Sequence, residues 1–157
     1  MSHKQVIQVP GLKTIGPYSH AVRAAGLLFV SGQPGVDPST GDAVGASFDL
    51  QARQAFKNLD TVLRASGSRL DLVVNTTVLV TDASNFAEVN RLFTEFFPSD
   101  PPARMTMQVP LPKGLLISIG CVAVIEHKTR PTSLAADESK ILSSSSAVIS
   151  STRNVLN

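Results

Sequence analysis

The chain has 157 residues, 43% of them hydrophobic, which suits one globular domain with a sizeable core and leaves little room for two. Its formal charge of +2 comes from 14 basic and 12 acidic residues spread along the sequence; with no basic block and no basic stripe carrying aromatics, neither a nucleic-acid partner nor an anionic membrane is expected. The N-terminus lacks an apolar signal core, no stretch reaches the length of a membrane span, and the single cysteine, Cys121, rules out an internal disulfide, so the expectation is a soluble chain in the reducing cytoplasm.

Residues 6–9 can make a short strand before Pro10-Gly11 interrupts it. After the break at Gly16-Pro17, residues 22–25 extend, Gly26 marks a turn, and the apolar run 27–33 follows. The pair reads as a hairpin whose far end presents Ser31 and the backbone of Gly32, where glycine lets a ligand or another chain come close. Pro34-Gly35 and Asp37-Pro38-Ser39-Thr40-Gly41-Asp42 signal an exposed loop. From Phe48 the period becomes helical, with Ala52, Ala55, Phe56, Leu59, Val62 and Leu63 on the same face. Ser47 or Asp49 would cap this helix and Gly67 would stop it.

Residues 72–80 are rich in β-branched side chains and apolar on both faces, as an interior strand should be. Asp82 and Ser84 offer caps for a second helix with the stripe Phe86, Val89, Phe93, Phe96 and Phe97, and Pro98 ends it. Pro101-Pro102 exclude helix, so residues 103–109 predict a strand with Ala103, Met105, Met107 and Val109 on one face and Arg104, Thr106 and Gln108 on the other. Arg104 therefore opens a strand on its polar face. Its rigid, permanently charged fork of donors matches a carboxylate, which makes it a candidate ligand anchor; a structural ion pair or a solvated strand end would equally place an arginine here. After the turn Leu111-Pro112-Lys113-Gly114, a last strand is expected over 115–126.

The order is then β-β-α-β-α-β-β with five or six strands, an α+β fold in which two helices cover one face of a mixed sheet. Alternating apolar residues on the other face predict cover by further subunits, hence a homo-oligomer. A domain over 1–130 is followed by a Ser-rich tail over 131–157 without aromatic residues, expected to be mobile or loosely docked. His3, His20 and His127 lie far apart, and GxGxxG, P-loop and GxSxG patterns are missing, so no cofactor and no metal is expected.

Four stretches, Gly16-Pro17-Tyr18-Ser19-His20-Ala21-Val22, Phe29-Val30-Ser31-Gly32-Gln33, Phe86-Ala87-Glu88-Val89-Asn90, and Pro102-Ala103-Arg104 with Leu111-Pro112-Lys113, together resemble the YjgF/RidA family, also called L-PSP endoribonuclease-like. The likeness spans residues 5–127 in order and spacing. It implies a chorismate-mutase-like homotrimer with clefts between subunits, hydrolysing reactive enamines and imines such as 2-aminoacrylate and 2-iminopropanoate to 2-oxo acids and ammonia. By the same resemblance Arg104 clamps the carboxylate of a 2-imino or 2-oxo acid, Tyr18 closes the cleft, Ser31 and Gly32 line it, and the backbone around Thr106 touches the imine nitrogen or the attacking water.

Two departures stand against this. The position of the family's water-activating glutamate falls on Ser118, whose hydroxyl can orient water but is no base near neutral pH; losing a general base costs on the order of 10² to 10⁴ in rate. Glu126 has the same parity but lies about 26 Å further along a strand and cannot substitute. Thr106 stands where cysteine is frequent, and the interval from Arg104 to Leu111 is one residue short. His20 has a suitable pKa for a replacement base, yet can equally be a strand residue beside Tyr18. Two readings follow: a deaminase that works without the glutamate, and a non-catalytic binder of small carboxylates. The ribonuclease or chaperone role attached to the family's name finds no basic groove in this sequence.

Overall fold

A computed structural model describes residues 4–126; the boundary at 130 and the Ser-rich stretch 131–157 lie outside the described residues. Six strands form one mixed sheet: β1 (Gln5–Ile7), β2 (Ala21–Ala24), β3 (Leu27–Pro34), β4 (Val73–Val80), β5 (Ala103–Gln108) and β6 (Ile117–Val124), in the spatial order β1-β2-β3-β6-β4-β5. Two helices, α1 (Phe48–Ala65) and α2 (Phe86–Phe96), occupy the crossovers after β3 and β4. Only β4 and β5 pair parallel, through the β-α-β connection made by α2.

Three strands precede α1, the short N-terminal one included. The first covers Gln5–Ile7 rather than 6–9, because Val9 leaves the sheet and turns into the core, where it is buried. The last strand is shorter than 115–126, running over Ile117–Val124. Between β2 and β3 the turn residues Ala25 and Gly26 both have positive φ (51° and 78°), the geometry of a tight hairpin that follows the sheet twist. Helix α1 ends as Gly67 predicts: at φ 73° it lets its own N–H reach the Arg64 carbonyl (3.2 Å) while Ser68 N–H reaches Leu63 O (2.9 Å). At the other end Ser47 is the cap by its extended backbone without a side-chain hydrogen bond; Asp49 instead pairs with Arg53 and Arg91.

The core lies between one sheet face and the helices, where Leu28, Val78, Val80, Ile117 and Ile119 meet Phe56, Leu59, Leu63, Val89 and Leu92, all fully buried. Phe56 stacks on Phe96 with centroids 4.4 Å apart and meets Phe93 and Phe97 edge-on. Two buried amides fix loops to α1. Gln51 Nε2 donates to Gly45 O (2.7 Å) and Gly114 O (3.0 Å) while its Oε1 accepts from Leu116 N–H (2.8 Å); Asn58 Nδ2 donates to the carbonyls of Pro34 and Val36. The opposite sheet face is uncovered in the protomer: Phe29, Val74, Met105 (56%) and Met107 (39%) are exposed there. Among the described residues no helix is long and apolar enough to cross a membrane.

Candidate functional site

The residues singled out in the sequence fall into two groups on different parts of the protomer. Arg104 and Thr106 share one side of β5, the strand at the sheet edge. That side faces α2. The Arg104 guanidinium lies 4.7 Å above the Phe93 ring centroid, and its Nη2 donates to Asn90 Oδ1 at 2.7 Å. Asn90 and Phe93 stand one helical turn apart on α2, so one helix face sets the orientation of the charge.

Among the described residues Arg104 forms no salt bridge, whereas Arg53, Arg64, Arg69 and Arg91 each engage a carboxylate. Its only side-chain hydrogen-bond partner among those residues is the neutral Asn90 amide, which leaves further N–H donors and the full charge available. A concavity of about 350 Å³, lined by Asn90, Phe93, Thr94, Phe97, Pro98 and Pro101, opens beside it. Thr106 Oγ1, two residues on, is buried without a hydrogen-bond partner.

The backbone of β5 adds donors of its own. Val109 N–H donates to Val80 O (2.9 Å), so residues of odd number on this strand turn their amides toward β4. The N–H and C=O of Arg104, Thr106 and Gln108 therefore point out of the sheet edge, away from any ladder partner within the protomer.

The second group lies on the uncovered sheet face. The β3–β6 register breaks between Val30 and Gln33, and this irregularity brings Gly32 against β6. A Cβ at Gly32 would stand 2.6 Å from Ser118 Oγ; the missing side chain is what lets the two strands share that spot. Gly32 and the half-buried Ser118 line a shallow depression of about 340 Å³ with Phe29, Leu79, Gly120 and Val122. Ser31 does not line that depression, and its hydroxyl is committed to Ser19 O (2.7 Å) rather than offered as a free donor. Tyr18 is 40% exposed on the preceding loop, where its hydroxyl accepts from Ile15 N–H at 3.2 Å.

The two groups do not meet within one protomer. Ser118 pairs with Leu79, which pairs with Met107, so Arg104 stands two strands away and three residues along, about 14 Å from Ser118 by strand spacings, with its side chain on the opposite face.

His20 is buried (4% exposed), and its Nδ1 accepts from Val9 N–H at 3.1 Å. That bond puts the proton on Nε2, which is buried without a partner, and burial lowers the pKa with the Leu12 backbone opposing. With its lone pair committed, His20 clamps the N-terminal segment instead of serving as a base. The thiol of Cys121 is pushed up to about 12 by burial and is inert at neutral pH. Glu126 is bound to Arg69, remote from Ser118 as strand length predicts. No group of three metal-ligating side chains occurs among the described residues.

Phe93, in the apolar stripe of α2, and Asn90, in a stretch that carries the family resemblance, do not reveal from sequence that they hold Arg104. The signal was present in outline: a polar residue flanking an apolar helical stripe, one turn before an aromatic, ahead of a strand that opens with arginine.

Comparison with known proteins follows the same core. A family model described as endoribonuclease L-PSP matches residues 9–125. A RutC family protein of Sinorhizobium fredii is 47% identical over 109 residues, covering 69% of this chain and 86% of that protein. The human 2-iminobutanoate/2-iminopropanoate deaminase is 43% identical over 118 residues, or 74% of this chain and 85% of that one. The crystal structure of a Yersinia pestis protein of unknown function in the conserved Rid protein family superposes with a TM-score of 0.74 at 39% identity, over 78% of this chain and 100% of the other.

Proposed function

The chain belongs to the endoribonuclease L-PSP family, the YjgF/RidA family that its motifs resemble, and from that premise we propose that it hydrolyses 2-imino acids, formed from enamines of the 2-aminoacrylate type, to 2-oxo acids and ammonia. The general activity is that named for relatives at 41 to 43% identity. The observation that carries the reading here is Arg104: an arginine oriented by Asn90 and Phe93 and paired with no acid among the described residues is a receptor for a carboxylate.

In this account the substrate carboxylate sits on Arg104, and the outward amides of β5 around Thr106 meet the imine nitrogen or the incoming water. Water adds to the imine carbon, its proton passes to nitrogen, and the carbinolamine collapses: the C–N bond breaks, the C=O bond forms, and ammonia leaves with the proton lost by the hydroxyl. Ser118 orients the water without deprotonating it. Imines hydrolyse unaided, so holding the reactants in line can be useful without a base.

A 2-imino acid spans far less than the separation between Arg104 and Ser118, and their side chains emerge on opposite faces of the sheet. The proposed site is therefore completed by two subunits, Arg104 and the edge of β5 from one and Ser118, Gly32, Ser31 and Tyr18 from its neighbour. The uncovered apolar sheet face and the unpaired edge of β5 support association into the homotrimer expected from the family.

The second reading, a binder of small carboxylates, is favoured by Ser118 alone. One assay separates the two: loss of 2-iminopropanoate, generated in situ by an amino-acid oxidase, with wild type, Arg104→Ala and Ser118→Glu at equal concentration. Acceleration by the wild type that vanishes in Arg104→Ala supports the deaminase. An inactive wild type that gains activity as Ser118→Glu makes the natural protein a binder.

A further inference from the structure

We propose that the cleft walled by Lys13 and Lys113 is a second anion site, distinct from Arg104 and suited to a phosphate group. Three segments meet there: residues 13–15 of the N-terminal loop, residues 40–43 after β3, and the β5–β6 turn that carries Lys113 and Leu115. They enclose about 240 Å³, room for inorganic phosphate or a small phosphomonoester.

Its walls are set in advance. Lys13 N–H donates to Pro38 O (3.0 Å), and the loop facing it is organised by Asp37, whose Oδ1 accepts from Ser39 N–H (2.9 Å), the Ser39 hydroxyl (2.5 Å) and Thr40 N–H (3.1 Å). The Lys13 stem lies along that loop: a Cβ at Gly41 would stand 3.5 Å from Lys13 Cδ. On the far side Lys113 holds φ 55° in a turn closed by Leu115 N–H donating to Pro112 O (3.1 Å). Tight turns of this hand take Gly, Asn or Asp at that position, so a lysine kept there has a strained backbone, a feature that recurs at ligand clamps.

Charge decides the ligand. Neither lysine forms a salt bridge among the described residues, although Asp42 lines the same cleft, so the cleft carries one net positive charge. A planar carboxylate is best met by an arginine fork, which this cleft lacks. Two compact ammonium groups with freely rotating donors match the tetrahedral, more highly charged phosphate.

Calorimetric titration of the full chain with inorganic phosphate, at low ionic strength matched with chloride, tests this, and a parallel titration with glycerol 3-phosphate distinguishes free phosphate from an ester. Saturable binding at one site per chain is expected, weakened about tenfold or more in Lys13→Gln and in Lys113→Gln and unchanged in Arg104→Ala. Tighter binding of the ester assigns an ester ligand, and equal or weaker binding assigns free phosphate. The absence of saturable heat overturns the site. So does binding lost in Arg104→Ala but kept in both lysine variants, which would put the anion on Arg104.

Discussion

Replacing Asn90 by aspartate asks whether Arg104 is reserved for a substrate. The side chains are nearly isosteric, so an aspartate keeps an acceptor at the 2.7 Å contact with Nη2 and adds a charge. If Arg104 were structural, the new ion pair would be neutral or mildly stabilising, within about 1 kcal/mol for an exposed pair. If it binds a carboxylate, the introduced carboxylate occupies the receptor and repels the ligand. At about 4 Å that repulsion amounts to about 1 kcal/mol in a water-like medium and about 4 kcal/mol at an effective dielectric near 20. Since 1.4 kcal/mol is about tenfold, KM for 2-iminopropanoate should rise about 5-fold to several hundredfold. High salt should shrink the effect. Steady-state hydrolysis with Asn90→Ala as a control measures it: alanine only loosens the guanidinium and should raise KM less than aspartate does. An Asn90→Asp protein with unchanged or lower KM would refute the assignment of Arg104 as the carboxylate receptor.

Two further outcomes follow from buried polar groups. His20 has a folded-state pKa below its ordinary 6.5, so the unfolded chain takes up a proton first as pH falls; the stability this histidine contributes is present above about pH 6.5 and is lost as the pH drops from there through the lowered folded value. Thermal melts from pH 7.5 to 5 should show that loss, and His20→Asn, whose Oδ1 can still accept from Val9 N–H, should flatten it; equal slopes in both proteins would dismiss the clamp. Gln51→Leu leaves the Gly45 and Gly114 carbonyls and the Leu116 N–H unpaired beside α1 and should cost about 2–5 kcal/mol, or about 5–15 °C in Tm, measured by calorimetry. A loss under about 1 kcal/mol would mean that these loops find other partners.

The helices were legible because each amphipathic stripe is local, and their ends were legible because Gly67 and Pro98 act through backbone geometry alone. Strand boundaries were less so. Val9 reads as strand by composition but is drawn into the core, and the β3 irregularity at Ser31-Gly32 depends on β6, far away in sequence. On β5 the division into polar and apolar faces was correct, yet the polar face turns toward α2 and the methionines toward the open side, because β5 is the edge strand, where neither face is fully buried. Arg104 could be flagged from its residue type and place, but its freedom from an acid among the described residues could not. Settling that took the fold, which brings Asn90 beside it and leaves every carboxylate among the described residues elsewhere. The wide separation of Arg104 and Ser118 was likewise invisible in a sequence where they are 14 residues apart.

A deaminase site shared between subunits has a distinctive signature in subunit mixing. Arg104→Ala destroys one half-site, and Gly32→Leu fills the other by driving a side chain into Ser118. Each homo-oligomer should be inactive toward 2-iminopropanoate. When the two are unfolded together and refolded at equal amounts, random assembly of a cyclic trimer leaves about a quarter of the interfaces with both intact halves, so about a quarter of wild-type activity should return. A mixture no more active than its parents, with hetero-oligomers demonstrated by mass, would contradict a shared site.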